Sequence, residues 1–365
     1  MKRVMVLGAY GLVGSAVIDE LLALSGVEIV AVGRRSRKML ASVPADPLVE
    51  RLVMDIAEHH QLKAALKRVD LVINCVGPYL KHGEAVASLC VGHQTHYIDV
   101  ASEQEHLRRL MALDGSAVEN DLCVVTAAGL YPGISGVLSR NLMEGLDGPC
   151  KVRMALAMGH PAQDGQGEAV LASGLMELSF SLEHVEAGQR VPFTFDEPGW
   201  ACVFPEPFGT ATIRPWPQIE LLTLEEDSRV EEARSGWWMA GITPTPGFIL
   251  RGLKRLDPAN HPWVFNALLG AARRRMARSF DKTPATGLAA ALEVSAENRT
   301  TRRSASLLVP DGVRATASMT IVLASRILKR QIESGVSVGM NAVDWSGLEE
   351  CARSQSWAHS TPAGG

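Results

Sequence analysis

A short apolar run at residues 1–7 breaks into Gly8-Ala9-Tyr10-Gly11-Leu12-Val13-Gly14, and apolar residues at helical spacing follow from Ser15 to about Leu24. Strand, glycine turn, helix is the strongest constraint in the chain, because it opens a doubly wound parallel sheet and its dinucleotide site. Each glycine has its own task. Gly8 can leave the strand in a tight turn, Gly11 lets the main chain lie against a pyrophosphate, and Gly14 lets the helix pack close to the strand. Tyr10, Leu12 and Val13 complete the same turn. The first N–H groups of the helix then face the phosphates, with the positive end of the helix dipole behind them. The spacing is GxxGxxG rather than GxGxxG, so the flanking strand and helix carry the argument. The alternative is a glycine-rich turn that binds nothing.

The next strand, residues 27–33, bears on coenzyme preference. NAD sites place an Asp or Glu near its end for the ribose 2′-OH. Here the chain reads Arg34-Arg35-Ser36-Arg37-Lys38, with no acid. Guanidinium groups beside a serine suit a 2′-phosphate, which favours NADP(H) over NAD(H). The competing reading is the basic first turn of a surface helix. A third strand at 51–55 brings Asp55 and Ile56 to the adenine side.

The fourth strand, 70–75, ends in Asn74-Cys75-Val76-Gly77-Pro78-Tyr79. Ligands of such sheets sit at the carboxyl ends of the strands. Asn74, Val76, Gly77 and Pro78 are therefore cofactor candidates, and Tyr79 a substrate candidate or a packing residue. In the fifth strand, 95–100, Tyr97 and Asp99 share a face while His96 points the other way. Tyr97 is the candidate proton donor and Asp99 the candidate anion, although Asp99 or Ser102 could equally cap the following helix. The sixth strand, 121–127, leads through Tyr131, Pro132 and Gly133 to a helix from Ser135 to about Glu144. That helix start could offer its N–H groups to a substrate carboxylate or carbonyl, or be an ordinary turn.

Strands and helices alternating this far predict a Rossmann-like α/β domain over residues 1–147. A second, α+β domain for substrate and dimer contacts is expected over 148–310. It holds a strand at 151–158, a helix at 165–186 and irregular structure or short strands at 192–217. A loop with Trp237-Trp238 and 243–247 follows, then a long basic helix within 252–280 and a hairpin of 287–299 with 302–309. Residues 311–352 read as helices returning to the first domain, including an amphipathic one at 315–333, and 353–365 as a disordered tail. The net charge of −4 leaves no footprint for nucleic acid. The six cysteines show neither CxxC nor Cys/His metal spacing, so no metal is expected and the thiols read as reduced. With no room for a signal peptide before the first strand and no run of 18 apolar residues, the expectation is a cytoplasmic protein without a membrane span.

With these stretches in view, the chain resembles the saccharopine dehydrogenase-like family with an N-terminal NADP-binding domain. The likeness rests on residues 8–14, 74–79 (NCVGPY), 96–103 (HYIDVASE) and 128–133 (AGLYPG), and loosely on 311–318 (DGVRATAS). The resemblance implies a Rossmann domain joined to an α+β domain, commonly in a homodimer. It implies hydride transfer between a nicotinamide coenzyme and a C–N or C=C bond, with nicotinamide beside 74–79 and a small-molecule substrate between Tyr97–Asp99 and 131–133. Two other functions stay open: an enoyl reductase for a hydrophobic substrate, and an NADP(H)-binding protein without turnover.

Overall fold

The computed structural model describes residues 1–159, 168–242, 244–280 and 287–360. It divides into two compact units. The first comprises Met1–Ser102, His106–Ile134 and Val313–Val343. Its elements run β1 (Lys2–Leu7), α1 (Leu12–Leu22), β2 (Val27–Gly33), α2 (Ser36–Ser42), β3 (Val49–Val53), α3 (His59–Leu66), β4 (Leu71–Asn74), α4 (Tyr79–Gly92), β5 (His96–Asp99), α5 (Gln104–Leu110), α6 (Asp114–Glu119) and β6 (Cys123–Thr126); α7 (Ile134–Met143) follows, all but its first residue in the second unit. Val4, Met5, Val6 and Leu7 are fully buried, which is what a central strand covered on both faces requires. Indeed β1 pairs in parallel with β2 on one side and β4 on the other, Leu7 lying opposite both Val32 and Asn74.

Among the described residues the sheet has seven strands, in the order Gly335–Val338, β6, β5, β4, β1, β2, β3. The order reverses between β1 and β4, the place where a doubly wound sheet opens a crevice for ligands. The parallel sheet with its helices is the expected Rossmann-like architecture. Its seventh strand was not foreseen within 311–352, where only helices were expected. Four residues leave too little alternation to read, and Gly335 (φ +120) turns the chain into the strand. The amphipathic helix spans Gly312–Leu328 and stops five residues short of 333 because Arg330 takes a positive φ.

The second unit comprises Glu103–Glu105, Ser135–Gly312 and the chain from Asp344. A mixed sheet is built from β7 (Cys150–Met158), β8 (Glu183–Glu186), β9 (Gln189–Pro192), β10 (Trp200–Val203), β11 (Thr210–Pro215), β12 (Val230–Met239), β13 (Ala290–Glu297) and β14 (Arg302–Val309). Ala358–Ser360 adds an edge strand against β14. The helices are α8 (Glu168–Glu177), α9 (Leu221–Leu224), α10 (Gly247–Lys254), α11 (Pro262–Phe280) and Trp345–Ser354. The β13–β14 hairpin closes as expected, with Asn298 Oδ1 accepting from the Thr300 and Thr301 amides.

Several local expectations are corrected. The helix of 165–186 is α8 followed by β8, and residues 165–167 lie outside the described residues. Trp237 and Trp238 belong to β12, not to a loop. Trp237 packs on the cluster of Phe193, Phe195 and Trp216, and Trp238 meets Phe208 edge-on. Of the expected loop at 243–247, Thr243 lies outside the described residues. The long basic helix is two helices, parted where Asp257 (φ +46) precedes Pro258. The segment called a tail carries the end of a helix and the strand Ala358–Ser360, and 361–365 lie outside the described residues.

Candidate functional site

The end of β1 turns through Gly8 at φ +81, a conformation that favours glycine. A Cβ there would lie 3.0 Å from the Cys75 carbonyl oxygen. A Cβ on Gly14 would lie 2.2 Å from the Gly8 carbonyl oxygen, so the first turn of α1 rests directly on the strand exit. Gly11 precedes the helix in extended backbone and makes no side-chain cap bond. The helical ladder begins with Ser15 N–H donating to the Gly11 carbonyl at 2.9 Å. The amides of Leu12, Val13 and Gly14 come ahead of that bond, and Gly11 and Leu12 are exposed. Three glycines thus build a bare, positively polarised helix start at the reversal point of the sheet. A diphosphate fits this geometry.

Beside it, the Tyr10 ring lies on Gly33, where a Cβ would approach within 2.4 Å, and Lys38 Nζ stands 5.9 Å from the ring centroid. Arg34, Arg35 and Ser36 are all exposed just past β2. Asp55 is half-buried and its carboxylate accepts from the Ala57 amide at 3.0 Å, while the Ile56 side chain is buried in the core. Both lie past the end of β3, which closes two residues earlier than the expected strand. His82 of α4 belongs to the same surroundings and carried no motif in the sequence. Burial holds its pKa below the ordinary value, Lys81, His59 and Arg34 reinforce this, and Asp55 opposes it.

The ends of β4, β5 and β6 enclose a polar network. Asn74 is fully buried. Its Oδ1 accepts from the Val76 amide at 3.0 Å and its Nδ2 donates to Tyr97 Oη at 3.0 Å. Tyr79 Oη donates to the Asn74 main-chain carbonyl at 3.0 Å. The turn through Val76, Gly77 and Pro78 is therefore held from within by Asn74, which explains an asparagine at the strand end. Asp99 accepts from the Ala101 amide, from Thr126 Oγ1 and from His106 Nε2, the last at 2.6 Å. Gly83 is needed because a Cβ there would meet the His106 ring at 2.4 Å.

Tyr97 and Asp99 do share a face, but neither side chain has exposed area. Burial, and then the Asp99 carboxylate, hold the Tyr97 phenol well above its usual range. Burial likewise pushes the Cys75 thiol up to about 12, so it stays protonated. His106 and Thr126 were missed in the sequence because each acts only through contacts of high sequence separation or across a helix start.

The loop after β6 is tightly stitched. Ala128 N–H donates to the Asp99 carbonyl, Ile134 N–H to the Gly129 carbonyl, and Thr320 Oγ1 to the Ala128 carbonyl. Tyr131 is half-buried, whereas Pro132 and Gly133 are buried. Gly133 takes φ +127, and a Cβ there would strike the Gly129 carbonyl at 2.2 Å. In the second unit the next residues meet an internal carboxylate. Fully buried Glu220 accepts from Ser135 Oγ at 2.8 Å and from the Gly136 amide at 2.7 Å. The expectation that this helix start offers its N–H groups to a substrate is corrected: the chain supplies its own anion there.

Residues 4–121 match the family described as the saccharopine dehydrogenase NADP binding domain. A probable mitochondrial saccharopine dehydrogenase-like oxidoreductase of Arabidopsis thaliana is 29% identical over 139 residues, 34% of this chain and 31% of the relative. The mouse saccharopine dehydrogenase-like oxidoreductase is 34% identical over 98 residues, 26% of this chain and 23% of its own length. The matches thus span about a quarter to a third of these relatives. Among solved structures, the apo saccharopine dehydrogenase (L-Glu forming) of Saccharomyces cerevisiae superposes with a TM-score of 0.65 at 15% identity, covering 100% of both chains, a likeness of fold.

Proposed function

We propose that this protein is an NADP(H)-dependent oxidoreductase that moves hydride to or from the carbon of a C–N bond in a small, amino-acid-like substrate. The observation that carries the proposal is the bare start of α1 over the Gly8 turn, at the reversal point of the sheet. The domain family of residues 4–121 supports the coenzyme. The bound coenzyme supplies the hydride chemistry. The amides of Leu12, Val13 and Gly14 hold the diphosphate. Arg34, Arg35 and Ser36 receive the 2′-phosphate, and Asp55 and His82 lie toward the adenine. Val76, Gly77 and Pro78 shape the nicotinamide end.

Asn74 fixes that turn, and Tyr97 and Asp99 act by holding Asn74 and the ends of β5 and β6 in place. They are positioning residues, since their polar atoms are spent on internal partners. Tyr131 is the substrate-side residue with exposed area in its loop, while Pro132 and Gly133 set the loop's path. Free cysteines at 75, 90, 123, 150 and 202 accord with a reducing, cytoplasmic location, and a homodimer is the proposed assembly, to be checked by sedimentation.

NADPH oxidation is to be followed with α-keto acids, each alone and paired with amino acids or diamines. Turnover that requires both carbonyl and amine is the expected result. Turnover of enoyl thioesters with no amine present would replace the C–N bond by C=C. NADPH binding without turnover across both panels would leave a binding protein.

A further inference from the structure

Residues 244–280 stand apart by charge. They hold seven arginines and lysines and a single acid, Asp257, within a chain of net charge −4. The same stretch sets large apolar side chains in water. Phe248 is 64% exposed, Ile249 40%, Leu256 48% and Trp263 74%. Such a cluster of exposed apolar groups beside cations is unlike scattered surface leucines and marks an interaction site.

Helical geometry sorts these groups. At about 100° per residue, Phe248, Arg251 and Arg255 fall on the outward side of α10, while Leu250 and Leu253 turn onto the aromatic cluster of the second unit. On α11 the outward stripe runs from Trp263 through Ala267 and Gly270 to Arg274 and Arg278, with Val264 and Leu269 buried behind. Arg275 donates to Thr245 Oγ1 at 3.0 Å, so the residues that lead into α10 touch the later half of α11. Arg251 is ion-paired with Asp196, which leaves the positive charge concentrated on the exposed side of α11 and at Arg255.

Exposed apolar side chains on helices that also expose arginines are the composition of an element lying in the lipid–water interface. The apolar groups enter the acyl boundary, tryptophan sits at headgroup level, and arginines meet anionic headgroups. A nucleic-acid surface would use the cations but has no use for an isoleucine and a leucine held in solvent beside them. Among the described residues no helix is long and apolar enough to cross a membrane, so the contact is peripheral. We infer that the α10–α11 pair docks this protein onto an anionic membrane surface.

The full chain is to be floated with vesicles of phosphatidylcholine alone and with vesicles containing about 30% phosphatidylglycerol. Binding to the mixed vesicles alone is expected, and it falls away as salt rises toward about 1 M. Arg274→Gln with Arg278→Gln should weaken it roughly 25-fold, at about fivefold per cation. Phe248→Ser with Trp263→Ser should weaken it at least about tenfold. All four sites are exposed, and unchanged circular dichroism melts confirm that both variants fold. Failure to float, equal binding to both vesicles, or binding untouched in both variants overturns the inference. So does a dimer that Phe248→Ser with Trp263→Ser dissolves without any vesicle binding, which would assign the face to a second copy. Capture of duplex DNA in place of vesicles overturns it as well.

Discussion

Two helix starts in this molecule follow the same recipe and end differently. Both come after a buried parallel strand and a loop holding two or more glycines. At α1 the glycines strip the turn of side chains, and no side chain caps the first amides. At α7 the Gly136 amide and the Ser135 hydroxyl are satisfied by Glu220, itself wholly buried. A helix start with its own carboxylate is a structural joint. One without leaves its first amides to water or to an anion from outside. The sequence texture is common to both, so the difference lies in a residue some 85 positions away.

The sharpest way to break this comparison is to make the first start resemble the second. Gly11→Asp places a carboxylate on α1 at a backbone conformation any residue adopts (φ −76). NADPH affinity, measured by calorimetry, should fall at least about 100-fold, near 2.7 kcal/mol. The melting temperature should stay within a few degrees of wild type, because aspartate is a favourable N-cap while its Cβ sits 3.1 Å from the Gly8 carbonyl oxygen. A variant that melts normally and still binds NADPH tightly would mean that the phosphates lie elsewhere.

The converse change removes the plug. Glu220→Ala strands the Gly136 amide and the Ser135 hydroxyl in a closed interior. Loss of about 2–3 kcal/mol is expected, seen as a drop in melting temperature of roughly 5–10 °C. NADPH affinity should be unchanged, since nothing of the α1 turn is touched.

How much of this was legible beforehand follows from the range of the interactions. The strand–glycine–helix opening reads directly, because Gly8, Gly11 and Gly14 act within seven residues of one another. Asn74 reads as a strand-end residue for the same local reason. Glu220 could not be read, since a single glutamate between Ile219 and Leu221 gives no sign of which distant residue it will be buried against. The tryptophans of β12 misled for a related reason: their neighbours Phe193, Phe195, Trp216 and Phe208 come from other strands and loops. The interior position of Tyr97 and Asp99 depends on His106 and Thr126, whose roles appear only once β5, β6 and α5 are folded.

A smaller effect sharpens the coenzyme side of the comparison. Arg34→Ala with Arg35→Ala should weaken NADPH about tenfold and leave NADH nearly unaffected, as read by competitive titration. Equal loss for both coenzymes would remove the 2′-phosphate from these side chains.

The smallest effect belongs to a second buried carboxylate. Burial and the Glu103 charge hold the Glu177 carboxyl well above its usual pKa, against the bond from Trp216 Nε1 at 2.9 Å and one from the Gln104 main chain. A raised folded-state pKa means stability is full below the unfolded value and is lost as pH climbs through the folded one. Glu177→Gln should therefore match wild type near pH 5 and melt a few degrees higher near pH 8, at roughly 2–4 °C per kcal/mol. Parallel melting curves across that range would show that Glu177 stays ionised in the fold.

The most direct measurement follows individual amides by nuclear magnetic resonance while NADPH is added to the intact protein. The expected result is large shifts for Leu12, Val13 and Gly14, with the Gly136 amide still under Glu220. Silence at residues 12–14 at saturating NADPH, or shifts centred on Gly136 instead, would contradict the account.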